Sequence, residues 1–260
     1  MFKIIIKSFL IAFSMYSKIP VPKFEWKETD MKYTFCFFPW IGVLIGVLVY
    51  LCDYICGIYN IGVLCRTALL MAVPILVTGG FHIDGFMDTM DALHSYAPRE
   101  KKLEILKDPH IGAFAVIMLA LYGLIFAGAL SEVENDALLR IVCCGFVLSR
   151  CLCGISALTF PLAKKEGMLN FCVENSGKKA AVAALCMQGA ACVGIMCLWS
   201  STAGMIIAAA AGLSLIYYRR LCKEKFGGIS GDTSGYFVLI CEGCIVAAAA
   251  FINIFMYGLV

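Results

Sequence analysis

The sequence predicts an all-α membrane protein, a polytopic helical bundle with about seven spans that forms a single domain over residues 1–260. Hydrophobic residues make up 62% of the chain and charged residues 15%, whereas soluble domains carry about 25% charged residues. The mean hydropathy is +0.89. Several apolar stretches exceed roughly 18 residues, the length that crosses the hydrocarbon core as a helix. The connections between them are short, so the sequence predicts no soluble domain.

The apolar segments give the candidate spans and their order. They cover residues 33–57, 62–80, 111–130, 137–160, 180–199, 202–218 and 235–257. Before the first of them, large apolar residues recur at helical spacing among lysines, at Phe2, Ile5, Ile6, Phe9, Phe13 and Tyr16. This pattern predicts an N-terminal amphipathic helix at the membrane interface.

The basic residues orient the bundle. Eighteen of the 21 lysines and arginines fall before the first span or on alternate connections after it, while the segment 131–136 is acidic. By the positive-inside rule these basic segments are cytoplasmic. We therefore expect a multi-pass protein of the cell membrane with a cytoplasmic N-terminus.

Composition also limits the partners. The net charge of +3 is too small to indicate a nucleic-acid ligand, so the expected surroundings are lipid and small molecules. Most of the 15 cysteines lie inside apolar runs, where they behave as small buried hydrophobic residues. Gly42 and Gly46 form a small-xxx-small pair that permits helix association, which hints at a homo-oligomer.

An acidic segment follows the second span and reads TGGFHIDGFMDTMDALH over residues 78–94. Asp84, Asp88 and Asp91 are spaced to share one face of a helix. The first and last lie roughly 10 Å apart along the axis, too far for one ion with ligands at about 2.1 Å. The helix would therefore serve two divalent cations, or one cation completed from another helix. The alternative is a solvated face with ordinary acids, but no basic residue occurs between Arg66 and Arg99.

Two further polar segments lie on the side that the basic residues mark as cytoplasmic. LKDPHIGAF (106–114) contributes Lys107, Asp108 and His110; Asp108 is either the N-cap of the next helix or a further metal ligand. FGGISGDTSGY (226–236) adds Asp232 and glycines such as Gly228. Those glycines either let backbone amides approach a ligand or serve as flexible punctuation.

Arg150 and Glu242 both fall inside predicted spans. A charge in the bilayer centre costs roughly 2.5–3.5 kcal/mol on insertion scales, so both are functional candidates. Their depths from the cytoplasmic end, roughly 15 Å and 10 Å at helical rise, predict that they meet. Alternatively Arg150 reaches a substrate phosphate, or each side chain finds water in a cavity.

Five segments in order resemble the cobalamin synthase family, the adenosylcobinamide-GDP ribazoletransferases. They are FSMYSKIPVP (13–22), FFPWIGVLIG (37–46), GGFHIDGFMDTMDAL (79–93), LKDPHIGAFA (106–115) and GGISGDTSG (227–235). The resemblance implies a Mg²⁺-dependent membrane enzyme. Such an enzyme joins GDP-activated adenosylcobinamide to α-ribazole or its 5′-phosphate and releases GMP.

The resemblance also implies roles for individual residues. Asp84, Asp88 and Asp91 become the ligands of metal and diphosphate, with His82 and Lys107 as further catalytic groups. The expected substrate-binding set is Asp108, His110, Arg150, Lys164, Gly228, Asp232 and Glu242, and Lys165 adds positive charge. Ala92, His110 and Lys164 depart from the residues that the family commonly has there.

Two other functions share some of these features. CDP-alcohol phosphotransferases also use a DG-x-x-D-x-x-D-like pattern, but this chain lacks the Ala-Arg that follows the DG in them. A cation-coupled transporter would carry acids near the middle of its spans, whereas here Glu242 is the single such acid.

The orientation is testable by cysteine labelling. In a cysteine-free variant, single cysteines placed near Asp84, Lys164 and Asp232 should resist an impermeant thiol reagent added to intact cells, because these loops are predicted to be cytoplasmic. Labelling after permeabilisation is the control. Ready labelling near residue 100 in intact cells would contradict the orientation.

Overall fold

A computed structural model describes residues 2–22, 24–164 and 166–257, and over these ranges the chain forms eleven α-helices. They are α1 (Phe2–Tyr16), α2 (Thr34–Ile58), α3 (Val63–Thr78), α4 (Phe81–His94), α5 (Arg99–Ile105), α6 (Ala113–Ser131), α7 (Asp136–Thr159), α8 (Met168–Glu174), α9 (Lys178–Trp199), α10 (Ser201–Lys225) and α11 (Gly231–Ile252). The described residues contain one extended pairing, an isolated bridge between Leu162 and Ile229. The all-α class is confirmed.

Six helices are long and apolar enough to cross a membrane: α2, α6, α7, α9, α10 and α11 with its continuation to Met256. The predicted second span differs, because α3 ends at Thr78 and the chain bends by 95° into α4. Gly79 and Gly80 form the corner with φ of 66° and 80°, a left-handed conformation that a Cβ disfavours. The count of about seven spans holds if this bent pair is one span.

Helix α7 is the most buried of the candidate spans, and α2 packs closely on it. A Cβ at Gly46 would lie 2.6 Å from the carbonyl oxygen of Cys143, and a Cβ at Gly42 would overlap the carbonyl of Phe146. The two glycines therefore let α2 and α7 approach within one chain. The small-xxx-small pair does not indicate an oligomer, because its surface is already occupied.

Different helix ends and connections lie at the two ends of the bundle. At one end Arg66 pairs with Asp53, and Arg140 lies 2.7 Å from Asp136. The other end collects the C-terminus of α1, the α3–α4 corner, α5, α8 and the start of α11. There the amide of Lys18 donates to Val77 (2.8 Å). The α2–α3 and α6–α7 connections thus lie at one end, and the α1–α2 and α3–α4 connections lie at the other.

The N-terminal helix α1 is present as predicted and docks against the bundle. Ile11 and Ala12 are buried, and Ser8 Oγ donates to the carbonyl of Asp30 (2.5 Å) in the 3₁₀ turn Glu28–Met31. Ile6, on another face, is exposed. One face of α1 is therefore held by protein, and another remains free for the membrane interface.

Arg150 on α7 and Glu242 on α11 form a buried ion pair, as predicted. Arg150 Nη1 lies 2.6 Å from Glu242 Oε1, with the side chains 1% and 9% exposed. Nη1 also donates to the carbonyl of Phe146 (2.8 Å), and Ser149 Oγ donates to Glu242 Oε1 (3.1 Å). Because an unpaired charge in lipid is unfavourable, this pair fastens α7 to α11.

The pair predicts strong coupling between the two positions. Arg150→Gln or Glu242→Gln alone leaves a buried charge without its partner, which should cost about 3–5 kcal/mol of unfolding free energy. The double variant should recover a large part of that loss, since no net charge stays buried. Thermal unfolding of the four proteins in detergent measures the cycle, and additive losses would contradict direct pairing.

Candidate active site

The carboxylates of the acidic segment share one face of α4. Asp84 is exposed, and Asp88 and Asp91 are partly exposed, whereas Phe86 and Met90 on another face are buried. All three acids line a narrow cleft of about 30 Å³, which also contains His110; we call it the acidic cleft. The prediction of a shared face is confirmed.

Helix α4 crosses the N-terminus of α11 at very short range. A Cβ at Gly85 would lie 2.6 Å from the carbonyl oxygen of Asp232, and a Cβ at Gly235 would lie 3.0 Å from the carbonyl oxygen of His82. Ser230 Oγ accepts from the amide of Thr233 (3.2 Å) and so caps α11. The crossing brings Asp232 next to the acids of α4.

Four carboxylates therefore share one electrostatic field. The negative charges of Asp84, Asp232 and Asp91 all act on Asp88. Among the described residues, none of these four carboxylates forms an ion pair with a basic side chain. Such a concentration of like charge favours a cation or a basic ligand in the cleft.

Asp84 also borders two larger pockets. One of about 300 Å³ contains Asp232, Lys107 and Lys164; we call it the basic pocket. The other, of about 540 Å³, lies at the α3–α4 corner against Lys18. Lys18 belongs to the SKIPVP segment, and its place beside Asp84 was not inferred from the sequence. Asp84 is thus the residue at which the acidic cleft and both pockets meet.

The basic pocket contains two lysines beside the carboxylates of Asp84, Glu166 and Asp232. Lys164 Nζ donates to the carbonyl of Leu103 (2.7 Å), which ties the 160–164 segment to α5. Burial, together with the charge of Lys107, lowers the pKa of Lys164, while Asp232 opposes that shift. Lys107 is exposed. Lys165 lies outside the described residues.

Asp91 has a structural role that the sequence did not reveal. Its Oδ1 accepts from the amide of Ala115 at 3.3 Å, and its carboxylate fills the space that a Cβ at Gly112 would occupy. Helix α6 begins at Ala113, with Gly112 at its N-cap and no side-chain cap of its own. A carboxylate from α4 therefore caps α6. Gly112, directly before the first residue of α6, was the sequence signal that could have revealed this cap.

Asp108 is not the N-cap of α6. It is exposed, and its Oδ1 accepts from the backbone N–H of His110 (3.0 Å) and lies 2.7 Å from that residue's ring Nδ1. These contacts hold the pKa of Asp108 below its usual range. Helix α6 begins at Ala113, four residues after Pro109, and the segment 109–112 is irregular.

Four other predicted residues lie away from direct contact with the carboxylates. The amide of Gly228 donates to the carbonyl of Cys222 (3.1 Å), and Gly228 packs on the backbone of 161–163. Because it already has this partner, the Gly228 amide is not free for a ligand. Arg150 and Glu242 pair with one another. Neither lines the acidic cleft or the two larger pockets that Asp84 borders. His82 is buried at 5% exposure and faces an apolar cavity beneath α4.

The acids fit a magnesium ion by their chemistry rather than by a closed cage. Among the described residues, no three Asp, Glu, His or Cys side chains are arranged to hold one ion. Mg²⁺ commonly takes one or two carboxylates and completes its shell with water and substrate phosphates. Asp84 and Asp88, one turn apart and without basic partners, offer that partial set.

Comparison with known proteins assigns the family. The profile of the family described as Cobalamin-5-phosphate synthase matches residues 8–250. The chain belongs to this family. It is 40% identical over 237 residues to the adenosylcobinamide-GDP ribazoletransferase of Lachnoclostridium phytofermentans, covering 91% of this chain and 90% of that protein.

Other relatives cover the chain to a similar extent. The protein of the same name from Clostridium perfringens strain SM101 is 33% identical, over 92% of this chain and 96% of its own length. The one from Listeria monocytogenes is 29% identical, over 92% and 97%. No solved structure matches this chain. The resemblance inferred from the five segments is confirmed.

The capping contact predicts a stability effect specific to Asp91. Asp91→Ala should lower the unfolding free energy by about 1 kcal/mol, because the α6 N-terminus loses its acceptor. Asp91→Asn should retain most of the stability, since its amide oxygen can still accept. The matched control is Asp88→Ala on the same face, which removes a repelling charge and should not destabilise. Thermal unfolding in detergent without magnesium measures all three, and equal losses at both positions would contradict the cap.

Proposed function

We propose that this chain transfers the cobinamide phosphate of adenosylcobinamide-GDP to α-ribazole or its 5′-phosphate, releasing GMP, in the last steps of cobalamin synthesis. Membership of the family and the names of the relatives support this activity. The observation that carries it is the meeting of the acidic cleft and the basic pocket at Asp84. A diphosphate bound there would meet Lys107 and Lys164 as well as the carboxylates of Asp84, Glu166 and Asp232.

The reaction makes and breaks one bond at phosphorus. The ribose 3′-hydroxyl oxygen attacks the phosphate esterified to cobinamide, and the bond from that phosphorus to the oxygen bridging to GMP breaks. The bridging electron pair leaves with GMP, and the hydroxyl proton passes to a base. Asp84 and Asp232 both border the basic pocket where the phosphate would lie. Since Asp84 would hold the cation, we assign this proton to the carboxylate of Asp232.

Charge neutralisation is the main task of the remaining groups. Asp84 and Asp88 would hold Mg²⁺, with Asp91 and Asp232 adding to the negative field. When bound, Mg²⁺ neutralises the diphosphate oxygens and the developing charge on GMP. Lys107 and Lys164 attract the donor and balance its charge.

The cellular side follows from the charge distribution. The site lies at the end of the bundle that gathers most of the basic residues, so we propose that it faces the cytoplasm from the cell membrane. The transporter alternative has little support, because Glu242 is already paired with Arg150. The CDP-alcohol phosphotransferase alternative is not favoured by the relatives.

Release of GMP by purified protein tests the proposal. With adenosylcobinamide-GDP, α-ribazole and Mg²⁺, the protein in detergent should form GMP, and removing either substrate or adding a chelator should stop it. Asp88→Asn should lower kcat by roughly 10²-fold, because it removes a carboxylate that would hold the Mg²⁺ acting on the transferring phosphate. Chromatographic quantification of GMP is the readout.

A surface acid provides the matched control. Glu104 pairs with Lys101 (2.9 Å) and its side chain is 66% exposed, so Glu104→Gln should keep full turnover. Near-normal turnover of Asp88→Asn at limiting Mg²⁺ would refute the assignment of the acidic helix.

A further inference from the structure

The apolar cavity beneath α4 has a volume of about 80 Å³. We call it the aromatic chamber, because Tyr16, Phe38, Phe81 and His82 line it. Its remaining lining from the described residues is apolar, small or hydroxyl-bearing, and contains no Asp, Glu, Lys or Arg. A volume of this size holds several water-sized groups. The chamber therefore suits an uncharged, mainly apolar ligand.

The rings of the chamber contact one another in a continuous chain. Centroid distances are 4.6 Å from Tyr16 to Phe38, 6.0 Å from Phe38 to His82 and 5.5 Å from His82 to Phe81. Aromatic pairs are favourable at such distances in stacked or edge-to-face arrangements. A planar aromatic group entering the chamber would continue this pattern.

His82 is the polar side chain that indicates a ligand. It is 95% buried, being 5% exposed, and its ring contacts within the described residues are those with Phe38 and Phe81. No described residue forms a hydrogen bond with either ring nitrogen. Burial disfavours the charged imidazolium, and the neutral ring presents one N–H donor and one acceptor. A buried donor without a partner is unfavourable, which a ligand acceptor would relieve.

The chamber adjoins the reaction site. Phe81, Met168 and Leu169 line both the aromatic chamber and the basic pocket, and Asp84 borders the latter. A nucleoside with its ribose beside Asp84 could therefore extend its base past Phe81 into the chamber. Lys107 and Lys164 line the basic pocket, where the donor phosphate would lie.

We propose that the aromatic chamber binds the heterocyclic base of the acceptor nucleoside, with the His82 N–H donating to the base's unsubstituted ring nitrogen. This inference rests on the proposed function. The base of a ribazole is a benzimidazole: planar, apolar and attached to ribose through one nitrogen, so its other nitrogen can only accept. Those properties match an aromatic lining that offers an unpartnered N–H at His82, which is then a positioning residue for specificity.

A pair of isosteric ligands tests the hydrogen bond directly. The α-riboside of indole has the shape of the benzimidazole riboside but carries C–H in place of the accepting nitrogen. The full-length protein in detergent should bind the benzimidazole riboside about tenfold more tightly, a factor that one net hydrogen bond supplies. Calorimetric titration without donor measures this, independently of turnover. Equal affinities of the unaltered protein for the two ribosides would overturn the proposal.

Variants of His82 then locate the donor. His82→Phe keeps an aromatic ring and should reduce the tenfold preference to about one, while His82→Gln, which retains an N–H, should restore part of it. His94→Phe is the matched control on the same helix, because the His94 ring bonds to the carbonyl of Met90 (2.8 Å) and stacks on Phe114. It should keep the preference.

The kinetic readout separates this inference from the proposed function. The His82→Phe effect should appear in KM for the acceptor, with KM for the GDP-activated donor unchanged. A loss confined to donor affinity, or a preference that survives His82→Phe, would overturn the chamber assignment. Absence of GMP release by the unaltered protein would instead refute the proposed function, and the titration would still decide whether the chamber binds the base.

Discussion

The close crossing of α4 and α11 is the contact on which the site depends. Gly85 has no room for a Cβ against the backbone of Asp232, and a Cβ at Gly235 would press against that of His82, so the two helices meet at a separation that a side chain at Gly85 would prevent. The crossing places Asp232 beside the acids of α4. It also turns His82 towards the protein interior. The same contact also closes the aromatic chamber, which Gly231, Ser234 and Gly235 of α11 line.

Electrostatics explains why this end of the bundle suits phosphoryl chemistry. Four carboxylates act on one another without a basic partner among the described residues, and Lys107 and Lys164 line the adjoining basic pocket. Such concentrations of like charge are unfavourable. A cation and a diphosphate would relieve both excesses together, so binding energy comes from charges that the fold has fixed in advance.

The buried polar groups of α4, α7 and α11 differ in how they are satisfied. Arg150 and Glu242 pair with one another and hold α7 to α11, although Arg150 Nε has no hydrogen-bond partner among the described residues. His82 is equally buried and makes ring contacts. Polar groups away from water normally have partners, yet the buried hydroxyls of Thr34, Thr67 and Thr89 also lack one among the described residues. What sets His82 apart is that it lines a cavity.

The sequence by itself determined the all-α membrane class, the family and the shared face of Asp84, Asp88 and Asp91, because hydropathy and helical periodicity are local properties of the chain. It also located the Arg150–Glu242 pair, since depth along a span follows from residue count. Only the tertiary structure decided that Asp91 caps α6, that Gly42 and Gly46 serve α7, and that Gly228 packs on backbone. Each of these depends on which segments, distant in the sequence, come into contact. The sequence shows where a glycine or an aspartate stands, but not whether its partner is a ligand, a helix end or a neighbouring helix.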